Sequence, residues 1–473
     1  MNNIPIISSI HHPSEQTVLS TLLIGAMLMI GQPAASANPI STMAYAADPS
    51  AHVFGDRLYV YPSHDRTDAK EFDMTDYHVY STDDLKNWTD HGSVLDVKDV
   101  PWGKSHMWAP DAAFRDGTYY LCFCPRPSET STDGKKIPRP IGMATSKSPT
   151  GPFVSAPKPI ADVGGIDPSI FIDDDGQAYI SWAGTGKGPQ IAKLKSDLME
   201  LDGEPRQITG LERFFEGPWI FKRQGFYYLT YPAVMEGGSG RGGNGQWWDY
   251  ATAKSPMGPY TYRGNFSRTE PGDGNIHGSQ VEWNGKWYHI YHDFSQSVGR
   301  EKHGFKRTIH IDEMTFGPDG SIESLKKTKD GPVKLKNIDP FAVIQAETTS
   351  ATDLPEGPHA VKTRRTKDGE VVVADIQNGD WLKVSNADFG ADAKMFSASV
   401  AVPKAGSQIV LHLDKLDGPV IGRCAVPPTG SLDTWINVSC PVTGAKGLHD
   451  IFLEFIGPDD ADLLNIDFYQ FQP

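Results

Sequence analysis

Cysteine is scarce, basic clusters are missing, and helix-period patterning is thin. The chain of 473 residues has 4 cysteines, and no Cys/His spacing resembles a zinc motif. Lys and Arg number 44 against 59 Asp and Glu, a net charge of −15. Without a basic run, nucleic acid and anionic membrane surfaces are poor partners, because both recruit clustered Lys and Arg. The one long apolar run, Val18 to Ile30, is too short to cross a bilayer. Gly31-Gln32-Pro33 and Ala35-Ser36-Ala37 follow it, the layout of a signal peptide over residues 1–37 with a small-residue cleavage site. A secreted or periplasmic chain is therefore expected, although no Lys or Arg precedes Arg57. Cys122 and Cys124 alternate on one strand and read as buried thiols. Cys424 and Cys440 flank a loop, where an exported protein supports a disulfide.

What is abundant is aromatic hairpin. Arg213 to Tyr231 runs as strand, Gln224-Gly225 turn and returning aromatic strand, the signature of a β-hairpin. Glu216 stands at its entrance, before Gly217 and Pro218. Among aromatic rings a carboxyl group resists ionisation and can serve as an acid near neutral pH. The plainer alternative is a strand-end glutamate in an ion pair.

The layout recurs. Asp48-Pro49-Ser50, Asp111, Asp167-Pro168-Ser169, Glu216 and His277-Gly278-Ser279 each precede a short strand, a Gly-containing turn and an aromatic strand. A period of about 50–60 residues suits a four-stranded propeller blade. Five repeats predict an all-β, five-bladed β-propeller with the first strand of each blade lining a channel. Four carboxylates and one histidine at equivalent positions are then expected to converge on one mouth, where like charges push pKa values apart. Turn-forming Asx and Pro could also produce this pattern. Trp108, Trp247 and Trp248 fall between repeats and are candidates to stack on sugar rings. The Gly-rich run Gly237–Gly243 suggests a mobile lip; it lacks the strand–loop–helix context of a phosphate loop.

Composition shifts from Gly317 to Pro340, which separates a propeller over 38–335 from a second region over 341–473. Short strands from Phe341 onward predict a β-sandwich of roughly 130 residues.

In order, Ala47-Asp48-Pro49-Ser50, Trp108-Ala109-Pro110-Asp111, Gly165-Ile166-Asp167-Pro168-Ser169, Phe215-Glu216-Gly217-Pro218, Ser255-Pro256-Met257-Gly258-Pro259-Tyr260 and His277-Gly278-Ser279 resemble glycoside hydrolase family 43. The resemblance implies inverting hydrolysis. It makes Asp48 the general base, Glu216 the general acid and Asp167 the residue that orients the acid and adjusts its pKa. It assigns Trp108, Phe215 and Arg307 to substrate contact and His277 to the side of a central metal ion, usually calcium. Invertase-like propellers, which retain configuration, carry Asn-Asp-Pro, Arg-Asp-Pro and Glu-Cys; here Ala-Asp-Pro, Ile-Asp-Pro and Glu-Gly stand instead.

The second region is similar to carbohydrate-binding module family 6 through Ile344-Gln345-Ala346-Glu347, Asn378-Gly379-Asp380-Trp381, Gly418-Pro419-Val420-Ile421-Gly422, Gly447-Leu448-His449-Asp450 and Asn465-Ile466-Asp467-Phe468. The resemblance implies a jelly roll with a structural calcium held by Gln345, Glu347 and Asp467, hard oxygen donors that suit this ion. At the aromatic positions of the family's main sugar cleft the chain carries Asp375 and Leu432. The expected activity is release of L-arabinofuranose or D-xylose from plant polysaccharide, by a monomer that needs no cofactor for catalysis. Endo-arabinanase or galactan-cleaving action, or sugar binding without catalysis, are the alternatives.

Overall fold

Asn284 and Gly285 take φ of 50° and 73°, as do Asp116-Gly117 and Gln224-Gly225 in the same left-handed region. Two successive positive φ values make a type I′ turn, whose twist matches the strands it joins. Trp283 therefore pairs with Lys286, Arg115 with Thr118 and Arg223 with Phe226.

The computed structural model describes residues 38–128, 139–184, 186–234, 246–268, 275–294, 305–353, 360–459 and 462–473. The signal peptide expected over 1–37 and the run Gly237–Gly243 lie outside them. Hairpins extend into five antiparallel sheets. Their first strands are Tyr45–Phe54, Gly103–Arg115, Gly165–Ile172, Trp219–Arg223 and Gly278–Trp283. Each of these strands packs on the next, and the fifth packs back on the first, so the blades form a ring. Among the described residues the fifth sheet has three strands. The N-terminal segment lies along its last strand: Ile40 N–H donates to Ile309 O at 2.8 Å, and Ile311 N–H to Asn38 Oδ1 at 2.8 Å. The two ends of the propeller are thus joined.

Apolar faces meet between blades. Leu58, Val60 and Trp88 of the first blade pack on Ile290, Ile309 and Ile311 of the fifth. Tyr61, Tyr77 and Val94 pack from the other side of that blade on Met107, Leu121 and Phe123.

The C-terminal sandwich has two antiparallel sheets, one centred on Leu464–Gln472 and the other on Leu448–Ile456 with Ser407–Leu413. Phe396, Leu411, Leu453, Phe455, Ile466 and Phe471 fill the space between them. Cys424 and Cys440 belong to opposite sheets and meet as free, buried thiols inside this core. The disulfide expected from their loop-flanking spacing is not formed in this structure; both are strand positions facing the apolar interior. Cys122 and Cys124 are buried and free on Thr118–Pro127.

Sandwich and propeller share a sheet. Thr348 and Thr349 pair with Thr89 and Trp88, adding a fifth strand to the first blade. Asn87 seals the seam with both ends of its amide: Nδ2 donates to Ser385 O at 2.9 Å, and Ser385 N–H donates to Oδ1 at 2.8 Å.

Candidate active site

Pro49, Pro110 and Pro168 interrupt three of the inner strands. Proline has no N–H for the ladder, so pairing must break at each one. Register slips between Ala47 and Ser50, between Trp108 and Asp111, and between Ile166 and Ser169. A bulge bends its strand and re-aims a side chain. Asp48 and Asp167, each just before a proline, sit at φ of 52° and 56°, a region Asp tolerates better than most residues. In the fourth blade the same place before Pro218 is held by Gly217 at φ 57°. A Cβ there would lie 2.4 Å from His277 Cδ2, so glycine lets Glu216 and His277 crowd the same space. Gly217 N–H also donates to Asp167 Oδ2 at 3.1 Å, tying the third blade to the fourth.

Asp48 is the most heavily restrained of these groups. Arg307 Nη1 donates to its Oδ1 at 2.9 Å and Ser63 Oγ to its Oδ2 at 3.0 Å. Its backbone N–H donates to His292 Nδ1 at 3.0 Å. His292 Nε2 then carries the proton, shared with Asn275 O at 3.0 Å, and burial keeps this imidazole neutral, down to about 3. Arg307 forks onto Asp65 through Nε at 2.9 Å and Nη2 at 2.8 Å. Burial alone would raise the Asp48 carboxyl, but the Arg307 guanidinium, with His277, holds it well below the usual carboxylate range. Asp48 is therefore a carboxylate at any working pH.

Glu216 is tuned the opposite way. Burial raises its carboxyl and the negative field of Asp167 raises it further, against weaker help from His277 and Arg307. Asp167 is also raised, by burial first and then by Asp48, while His277 lowers it. The two share a proton-rich pocket in which Glu216 keeps the proton more strongly. Burial opposes charge on His277, yet Asp48, Asp167 and Glu216 outweigh it and lift the imidazole to about 9. His277 Nδ1 stands 3.6 Å from Asp48 Oδ1. Asp48, Asp167, Glu216 and His277, from four blades, thus act on one another around one site.

Asp111 does not join them. Its carboxylate lies 2.6 Å from His52 Nε2 and accepts Ala112 N–H at 2.7 Å and Ile170 N–H at 2.6 Å. It is a buried staple between blades. Alignment on the prolines explains the difference: Ala109 occupies the place of Asp48 and Asp167, and Asp111 that of Ser50 and Ser169.

The substrate-contact residues also resolve differently. Arg307 was expected on the sugar, but it is 1% exposed and neutralised by two carboxylates, so it positions Asp48 from beneath. Trp108 is half-buried, gives its indole N–H to Phe72 O and has the Arg139 guanidinium 3.6 Å over its ring. That face is not open to a sugar. Phe215, half-buried beside Glu216, is held by its N–H to Pro232 O at 3.0 Å. Trp247 and Trp248 are not in a loop but on the strand Gln246–Ala253; Trp248 is fully buried, and Arg213 and Arg268 lie over the Trp247 ring.

Ser63, Asp65 and His292 escaped the sequence reading. Their signal was polar side chains breaking otherwise aromatic second strands, Arg57–Asp65 and Lys286–Asp293. Around His277 no set of three His, Cys, Asp or Glu donors converges among the described residues. The donor set does not fit a protein-caged ion. In the sandwich cleft Asp375 is exposed and paired to Lys362 at 3.1 Å, and Leu432 offers its carbonyl to Asn465.

Residues 36–322 match the model of glycosyl hydrolases family 43, and residues 345–473 that of carbohydrate binding module (family 6). The chain belongs to glycosyl hydrolase family 43. A relative from Humicola insolens, xylosidase/arabinosidase 43A, is 37% identical over 344 residues, covering 61% of this chain and 99% of that protein. The arabinoxylan arabinofuranohydrolase of Bacillus subtilis (strain 168) is 30% identical over 506 residues, covering 92% of each chain. A crystal structure of a family 43 arabinoxylan arabinofuranohydrolase from Bacillus subtilis, in complex with cellotetraose, superposes with a TM-score of 0.80 at 29% identity, over 93% of this chain and 98% of that one. The family 43 propeller here is accordingly followed by a family 6 sandwich, and the protein is a glycoside hydrolase.

Proposed function

We propose that this hydrolase removes L-arabinofuranosyl side chains from arabinoxylan by a single displacement that inverts the anomeric carbon. What carries the proposal is the opposed tuning of two carboxyl groups at one site: Arg307 keeps Asp48 ionised, while burial and Asp167 keep Glu216 protonated. Inverting and retaining hydrolysis both require that pair of charge states; inversion is what the resemblance to family 43 implies. Asp48 removes a proton from a water molecule as its oxygen attacks the anomeric carbon. Glu216 gives its proton to the departing glycosidic oxygen, so the polysaccharide leaves as a neutral hydroxyl. Asp167, linked to Gly217 N–H, fixes the backbone beside Glu216 and supplies the charge that retains its proton. His277 and Arg307 balance the excess negative charge.

The choice of arabinofuranose rests on the Bacillus subtilis relative, whose similarity spans both propeller and sandwich. D-xylose is the second reading, favoured by the xylosidase/arabinosidase from Humicola insolens. Incubation with arabinoxylan should release arabinose as the main monosaccharide and leave the xylan backbone long. Xylose as the main product, with a shortening backbone, would replace the first reading by the second.

In the sandwich, Glu347, Asp467 and Gln345 are the residues that would hold calcium. Glu347 is buried, its Oε2 has no hydrogen-bond partner, and burial with Asp467 nearby pushes its carboxyl up to about 8. A carboxyl group in that state fits a bound divalent cation that neutralises it and fills its open valence. The ion would brace the sandwich and takes no part in hydrolysis. Calcium is expected to raise the melting temperature of the stripped protein and leave that of Glu347→Gln unchanged; an equal response from both would refute the site.

A further inference from the structure

The first blade carries a second histidine-rich cluster that hydrolysis does not use. His64 lies on the strand Arg57–Asp65, and Asp76 and His78 on the neighbouring strand Met74–Thr82. One nitrogen or oxygen from each residue falls within 4.8 Å of the other two. His64 Nδ1 is 2.8 Å from Asp76 Oδ1, His78 Nε2 is 3.6 Å from Asp76 Oδ2, and the two imidazole rings stand 4.3 Å apart. Two donors bound to one ion at ~2.0–2.1 Å in a tetrahedron are separated by roughly 3.3 Å; the two contacts, one to each oxygen of Asp76, lie either side of that spacing.

The shell behind the cluster is also built. His78 Nδ1 donates to Asp90 Oδ1 at 2.9 Å, so Nε2, directed to the Asp76 side, is the nitrogen an ion would take in exchange for its proton. A carboxylate behind a histidine fixes tautomer and ring angle in this way at metal centres. Asp90 is itself held by Gly92 N–H at 2.8 Å and by Thr363 Oγ1 of the sandwich at 3.1 Å. The side chains of Asp90, His78 and Asp76 are 2%, 7% and 12% exposed, whereas His64 is 27% exposed, so the cluster opens to solvent on one side only.

We propose that His64, Asp76 and His78 bind a divalent transition-metal ion of the zinc class, with Asp90 orienting His78 and solvent at the His64 side completing the coordination. Two imidazoles and one carboxylate suit zinc, cobalt or nickel rather than calcium or magnesium. The site is separate from the catalytic one. Ser63 and Asp65 reach Asp48 and Arg307, and His64 between them points to the other face of the strand by simple alternation. An ion there ties two strands of the first blade together and, through Asp90 and Thr363, ties that blade to the sandwich.

The test uses the full-length chain without a histidine tag, stripped with a chelator and kept in saturating calcium so that oxygen-rich sites are filled. Cobalt(II) is titrated and its visible ligand-field absorption recorded, then zinc is added to displace it. One equivalent with tetrahedral-type bands is expected for the wild type, and none for His64→Ala. His64 is the decisive position because it is partly exposed, whereas changes at buried Asp76 or His78 risk unfolding; the far-ultraviolet circular dichroism of His64→Ala should match the wild type. His64→Gln gives a second, more conservative comparison with the same expected loss. The proposal fails if the wild type develops no bands, or if the His64 variants bind cobalt with the same stoichiometry and spectrum.

Discussion

Glu216→Gln should lower kcat on arabinoxylan by about 10²–10⁴-fold, the contribution of one well-placed general acid. The loss should shrink sharply on an aryl arabinofuranoside whose phenol leaves without a proton, because glutamine keeps the shape of the site and removes only the acid. The pH profile separates this from a folding defect. Glu216 works while protonated, and its pKa is raised. Wild-type activity therefore persists through neutrality and falls as pH rises through that raised value. In Glu216→Gln the alkaline limb should vanish, since no proton remains to lose. Asp48 works while ionised and is held low, so the acid limb should stay at low pH in both proteins. A tenfold or smaller loss on arabinoxylan, with the alkaline limb intact, would remove Glu216 from the role of acid.

Arg307→Met should be the most damaging single change to stability. The guanidinium is 1% exposed and is shared by Asp48 and Asp65. Methionine fills the volume and leaves two buried carboxylates without their cation, a situation that costs about 3–5 kcal/mol. Chemical denaturation should report this as a lower midpoint. What survives should also be poorly active near neutrality, with its acid limb moved to higher pH, because the charge that kept Asp48 ionised is gone. Arg307→Lys should recover part of the stability but not the wild-type rate, since an ammonium cannot fork onto Asp65 while reaching Asp48. If Arg307→Met melts like the wild type, the buried Asp48–Arg307–Asp65 arrangement is wrong.

Much of this is legible in the amino-acid sequence itself. Five repeats of polar entrance, Gly turn and aromatic strand were enough for a ring of β-sheets. The Asp-Pro pairs at 48–49 and 167–168 marked the places where ladders break and side chains turn inward. Local turn chemistry made these legible. Contacts between residues far apart in sequence were not. Arg307 is 242 positions from Asp65, and only the closed ring brings them together, so its role as a buried counter-ion could not be read from a strand of its own. Asp111 shares the acidity of the other repeat entrances, but Pro110 aligns it with Ser50 and Ser169 rather than with Asp48 and Asp167. Cys424 and Cys440 looked like the ends of a loop, yet sheet packing turned both into the apolar core. The strand that Thr348 and Thr349 add to the first blade left no sequence mark, because any short extended segment can extend a free sheet edge.

The most direct measurement is the configuration of the first sugar released. Proton NMR of arabinoxylan hydrolysis, recorded before mutarotation, reads the anomeric signal as it appears. An ionised Asp48 activating water opposite a protonated Glu216 predicts β-L-arabinofuranose from an α-linked side chain, followed by slow conversion to the equilibrium mixture. Initial appearance of the α-anomer would mean a double displacement through a covalent intermediate, and would contradict the assignment of Asp48 as a base acting on water.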